Sequence, residues 1–225
     1  MRRSLITLVL CISLAGCTPQ AGLLMAAIPE GTGSVLLSQM QRVEDTNRRR
    51  VVEYEQRNDW KGLAAFAEEN IKLDPHTPDW LVVAGYAYTR LGQHDEATRC
   101  YNELVRTAPD NTLGWGLLAD SYRAARQPQR AIMTLDQALF VRPDDSRLLY
   151  LLGENYADMQ RWDEAARAYR QSLKSDASSG PAWYGLGVAA LSLQRKDEAG
   201  EAARALEKID QPLAKKLRGL LQSAP

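Results

Sequence analysis

The sequence predicts an all-α solenoid of stacked helix pairs, and three observations predict it. Residue types recur every 34 positions over most of the chain. Inside each 34-residue unit the apolar residues follow helical spacing twice. A proline closes most units: Pro75, Pro109 and Pro143 stand 34 residues apart. The same step relates Ala97, Ala131, Ala165 and Ala199, and also Gly85, Ala119, Gly153 and Gly187. Large residues keep it too, in Leu81, Trp115, Leu149 and Trp183 and in Tyr101, Leu135 and Tyr169, a column that Ala203 breaks. A fixed period of this size marks a repeat architecture.

Taken in chain order, the first element reads as a leader. Arg2 and Arg3 precede a mostly apolar run from Leu5 to Leu14, and the small residues Ala15 and Gly16 follow. That is the layout of a secretory signal over residues 1–16. The run is too short for a transmembrane helix, which needs about 20 residues. Leu14-Ala15-Gly16-Cys17 resembles the lipobox of bacterial lipoproteins. The resemblance implies that the signal is cut before Cys17 and that Cys17 carries the lipid. Thr18 follows where family members kept in the inner membrane usually carry Asp, so the same resemblance implies the outer membrane, facing the periplasm. Residues 17–35 then form a tether. Its apolar stretch Ala21–Ile28 suits either the lipid surface or the first helix, and the sequence does not choose between them.

Residues 36–77 hold an N-terminal helix, Leu36 to Gln56, and a degenerate first repeat at 44–77. Arg48-Arg49-Arg50 lies in that helix, either on a solvated face or drawn to anionic headgroups. Four clear units occupy 78–211, at 78–111, 112–145, 146–179 and 180–211. In the first of these, Leu81, Ala84, Gly85 and Tyr88 fall at i, i+3, i+4 and i+7, one face of a helix. Gly92 breaks it, and Ala97, Tyr101 and Leu104 face a second helix. Pro109 ends that helix, because proline lacks an amide donor and clashes with the preceding turn. Pro128 is compatible with a helix start, where its missing bond would not be made. The Gly/Ala columns allow close approach of the paired helices. Residues 212–225 read as a capping helix and tail, with Leu213, Leu217, Leu220 and Leu221 on one side and Lys215, Lys216 and Arg218 on the other.

These columns resemble the tetratricopeptide repeat family. Leu152-Gly153, Tyr156, Ala165 and Tyr169 match most of its pattern in one unit, and Trp183, Leu186-Gly187 and Ala199 match it in the next. The resemblance implies a right-handed superhelix whose first helices line the inside, where a partner peptide or helix is held. On that inner side it places a partner-binding groove of Val82, Tyr86, Arg90, Asp120, Arg123, Arg147, Tyr150, Glu154, Tyr184 and Val188. Tyr and Arg often dominate binding energy. Tyr150 and Tyr184 could instead cover neighbouring units. The Lys/Asn clamp with which some family members grip chaperone C-termini is absent from the matching columns.

Composition narrows the chemistry. The chain has 28 basic and 28 acidic residues, so it lacks the basic footprint of a nucleic-acid binder. Cys17 and Cys100 are the cysteines left after processing, too few for an internal disulfide framework, and Cys100 reads as a small packing residue. His76 and His94 have no spaced partners that resemble a zinc site. Recurrent pairs such as Asp95-Glu96 suit the first turn of a helix. No catalytic constellation, metal site or cofactor motif is read, so the expectation is a non-enzyme. The layout resembles pilotins and the assembly lipoproteins of tight-adherence (Flp) pili. The resemblance implies a periplasmic adaptor whose partner is a secretin or pilus component. The alternatives are a scaffold for barrel insertion, polysaccharide export or cell-wall hydrolase regulation, or a non-catalytic subunit of an enzyme complex.

Overall fold

The structure, a computed structural model, describes residues 45–75 and 77–223. The leader, Cys17, the tether and His76 lie outside them. The described residues form eleven helices and no strand. In chain order they are α1 (Asp45–Gln56), α2 (Trp60–Leu73), α3 (Pro78–Arg90), α4 (His94–Thr107), α5 (Thr112–Ala124) and α6 (Pro128–Val141). There follow α7 (Ser146–Asp158), α8 (Trp162–Ser175), α9 (Gly180–Ser192), α10 (Lys196–Ile209) and α11 (Gln211–Ser223).

The first helix of each later pair begins at one repeated position. Thr77, Asn111, Asp145 and Ser179 are its N-caps, all extended. The Asn111 side chain accepts from the Gly114 amide at 3.1 Å, and Asp145 accepts from Arg147 and Leu148, both at 3.0 Å. Such caps satisfy amides that have no partner inside the helix. The turn inside each pair is equally periodic. Asn58, Gly92, Arg126, Gln160 and Gln194 stand 34 residues apart, and all have positive φ, between 53° and 71°. Gly92 and Asn58 suit that conformation by residue type. The others mark it only by their place in the repeat. Asn58 also shows that α1 and α2 form a complete fifth pair, although the side chains of that unit have drifted from the pattern.

Aromatic rings fill the space that the small columns leave. A Cβ on Gly153 would stand 2.5 Å from the Tyr169 ring, and one on Gly185 would stand 2.6 Å from it. Tyr169 is therefore wedged between α7 and α9, 1% exposed. The Trp115 indole donates to the Pro109 carbonyl at 2.8 Å, and Trp183 repeats this with Ala177 at 2.9 Å, so each fastens a connection between units. Cys100 is buried in α4, which pushes its thiol up to about 11, the mark of an inert packing residue.

First helices touch one another across units: α5 packs on α7, α7 on α9, and α9 on α11. Successive second helices make no comparable contact among the described residues. The array therefore curves with its first helices inside and its second helices splayed outside. The last helix closes the end. Leu217 of α11 sits so near Gly187 that a Cβ there would collide with it.

Candidate functional site

The inner wall is buried at its N-terminal end, half-buried under the capping helix at its C-terminal end, and exposed between them at Arg147. At the N-terminal end Val82 and Tyr86 are buried, 3% and 6% exposed. Trp60 of α2 packs edge-on against the Tyr86 ring, with centroids 5.7 Å apart. The Arg90 guanidinium lies 4.3 Å above the Trp60 ring and reaches the Tyr86 hydroxyl at 3.4 Å. Here the groove expected from the sequence is corrected: two of its residues are core, because the drifted first pair still lays Trp60 over them.

At the C-terminal end Tyr184 and Val188 pack with Leu213, Leu217 and Leu221 of the capping helix. Lys216 stands 5.6 Å from the Tyr184 ring centre. Both residues are half-buried under α11.

Between these ends Asp120 and Arg123 of α5 meet Arg147, Tyr150 and Glu154 of α7. Arg123 Nη1 lies 3.4 Å from Glu154 Oε2, and its Nε lies 3.8 Å from Asp158 Oδ2. Burial works against the Arg123 charge. The carboxylates of Asp120, Glu154 and Asp158 more than offset it, and the net effect holds its pKa above the ordinary value. The same burial pushes the carboxyls of Asp120, Glu154 and Asp158 up, with Arg123 pulling each partly back. Tyr150 is half-buried, and its ring is tilted against Tyr169 at 5.9 Å between centroids. Arg147 is exposed and makes no ion pair among the described residues. Its guanidinium lies across α5, where a Cβ on Gly116 would be 3.9 Å from its Nε.

The structure thus brings together five of the ten predicted residues: Asp120, Arg123, Arg147, Tyr150 and Glu154. Two participants were not predicted. Asp158 is four residues after Glu154 on the same helix face, so the helical spacing carried its signal. Tyr169 belongs to a packing column, yet its hydroxyl reaches the buried Glu154 beneath the wall and donates to its Oε1 at 2.6 Å. Nothing in the repeat pattern announces that second role.

Among the described residues no group of His, Cys, Asp and Glu could hold a metal ion. No helix among them is long and apolar enough to cross a membrane.

Family models of the tetratricopeptide repeat match residues 78–121, 117–158 and 150–214. The chain belongs to the tetratricopeptide repeat family. Solved members share its fold. The crystal structure of MamA superposes with a TM-score of 0.64 at 20% identity, covering 77% of this chain and 99% of that one. TTC0263, a thermophilic repeat protein of Thermus thermophilus, gives 0.60 at 23% identity, covering 77% and 96%. YrrB, described as a repeat protein with an unusual peptide-binding site, gives 0.57 at 19% identity, covering 87% and 97%. At these identities the likeness concerns the fold. No curated protein sequence matches the chain. Tetratricopeptide repeats are protein–protein interaction scaffolds.

Proposed function

We propose that this tetratricopeptide repeat protein is a non-enzymatic adaptor of the cell envelope. Lipid on Cys17 fastens it to the outer membrane, and its inner wall holds a segment of a partner in pilus or secretion-channel assembly. The lipobox-like Leu14-Ala15-Gly16-Cys17 behind an apolar run supports the anchor. One observation carries the partner site: Arg147 stands exposed on the wall beside the half-buried Tyr150, between the stretch covered by Trp60 and the stretch packed under α11. Arg147 has donors to spare for a partner carboxylate or carbonyl. Tyr150 offers a ring face held in place by Tyr169, so little side-chain entropy is lost on binding. Tethering would concentrate the chain at a surface, so a contact of modest affinity suffices there.

Site-specific photocrosslinking at Tyr150 in intact cells, followed by identification of the adduct, tests this reading. A secretin or pilus component as the main adduct supports it. Barrel-insertion, polysaccharide-export or hydrolase components would replace the process named, and a cytoplasmic partner would overturn the anchor and the site together.

A further inference from the structure

Asp120 and Glu154 hold the same place in two successive units, but the fold provides for them differently. Tyr169 donates to Glu154 from beneath, and Arg123 reaches it from α5 at 3.4 Å. The residue 34 positions before Tyr169 is Leu135, fully buried and without a donor. Asp120 therefore lacks the hydroxyl on which its counterpart rests. Among the described residues no hydrogen bond and no ion pair reaches its carboxylate.

Two guanidinium groups act on Asp120 from a distance. Arg123, on the same helix, is engaged with Glu154 and Asp158 of α7. Arg147 lies across α5 near Gly116. Burial outweighs both attractions and raises the Asp120 carboxyl above the ordinary carboxylate range. The side chain is still within reach of a partner. Asp120 is only half-buried, and its oxygens, having no internal partner, are not sealed inside the protein. The wall thus holds an acceptor that folding has partly dehydrated and left unmatched, which is costly until a donor meets it.

Charge decides which donor fits. The groups that act on Asp120 and Arg123 are the carboxylates of Asp120, Glu154 and Asp158 and the guanidiniums of Arg123 and Arg147, three against two. A neutral amide would supply a hydrogen bond and leave the excess negative charge. A lysine or arginine side chain supplies both, and pairing in a partly dehydrated wall is stronger than at an open surface. Tyr150 stands close enough to feel the Asp120 charge, and its ring offers a face to the same cation. Arg147 does not oppose this, because it is exposed and can turn to an acceptor on the same segment. Resting on the adaptor reading above, we propose that Asp120 sets the specificity of the inner wall. The partner segment places a lysine or arginine on its carboxylate, and Arg147 takes a carbonyl or carboxylate of that segment.

The test pans phage-displayed random nonapeptides against the full chain with Cys17→Ser, so that no acyl chain interferes. p-Benzoylphenylalanine at position 150 identifies the peptides that lie on the wall. These are expected to share a lysine or arginine at one position. Norleucine in place of a shared lysine should weaken binding by about tenfold to the parent and leave binding to Asp120→Asn unchanged. Panning against Asp120→Lys should select Asp or Glu at that position instead. Asp120→Asn should melt no lower than the parent at neutral pH, since it removes an unmatched charge. Peptides that crosslink at 150 without a basic position overturn this inference and leave the adaptor site standing. A clear fall in melting temperature for Asp120→Asn does the same, by revealing a partner inside the fold. No peptide crosslinked at 150 overturns both.

Discussion

The Tyr169 hydroxyl donates to Glu154 Oε1 at 2.6 Å, although the two residues belong to different helices and different tasks. The Tyr169 ring is the wedge that holds α7 and α9 together, and its oxygen holds the buried Glu154 carboxyl beneath the inner wall. Packing and the candidate site therefore share one side chain. Tyr169→Phe should leave the wedge in place and strip a buried carboxyl of its donor, costing about 1–3 kcal/mol. Gly153→Leu should cost at least as much by driving a side chain into the same ring. Urea unfolding measures both, and a neutral Tyr169→Phe would show that Glu154 is satisfied in another way.

Glu154 should make stability depend on pH in an unusual direction. Burial raises its folded pKa above the unfolded value, so the folded state binds more protons between the two. Stability contributed by this group is therefore lost as pH rises through the folded pKa and regained as pH falls toward the unfolded one. Glu154→Gln keeps an acceptor for Tyr169 and removes the titration. Its melting temperature should exceed that of the parent at neutral pH, with the gap closing on acidification toward about pH 4.5. Melting curves over that range decide it: a constant gap would mean that Glu154 does not titrate there.

The left-handed turns predict a pair of opposite effects. Gln160 and its counterparts adopt φ near +58° at a conformational cost that glycine does not bear. Gln160→Gly should stabilise the chain by about 0.5–1 kcal/mol, and Gly92→Val should destabilise it by about 1–2 kcal/mol. Differential scanning calorimetry reads both signs, and destabilisation by Gln160→Gly would mean that its side chain matters more than its backbone.

Binding and stability should separate at the exposed part of the wall. Arg147→Glu reverses an exposed charge that attracts the Asp120 carboxylate without a direct ion pair, so it should cost no more than about 1 kcal/mol of stability, as read by thermal melting. Crosslinking of the partner at Tyr150 should fall severalfold. Tyr150→Ala should lower both stability and partner capture by pull-down, because Tyr150 also packs on Tyr169. If Arg147→Glu leaves capture intact, the partner lies elsewhere on the array.

Much of the fold was legible because a repeat writes the same physical instruction several times. Pro109, Pro128 and the Gly85 to Gly187 column each act within one unit or on its neighbour. Their meaning survives without a structure. The site was legible only in its centre. Position in the repeat assigns Val82 and Tyr86 to the inner side, but Trp60 covers them, and Trp60 sits in the unit whose pattern had faded.

By itself the sequence determined the helix pairs and their stacking, since these follow from local spacing and nearest-neighbour packing. The tertiary structure decided which part of the inner wall is exposed and which is covered. Accessibility belongs to the assembled array: Trp60 and Leu217 close ground that their own repeats do not describe, and Tyr169 delivers to one helix face an oxygen that begins on another.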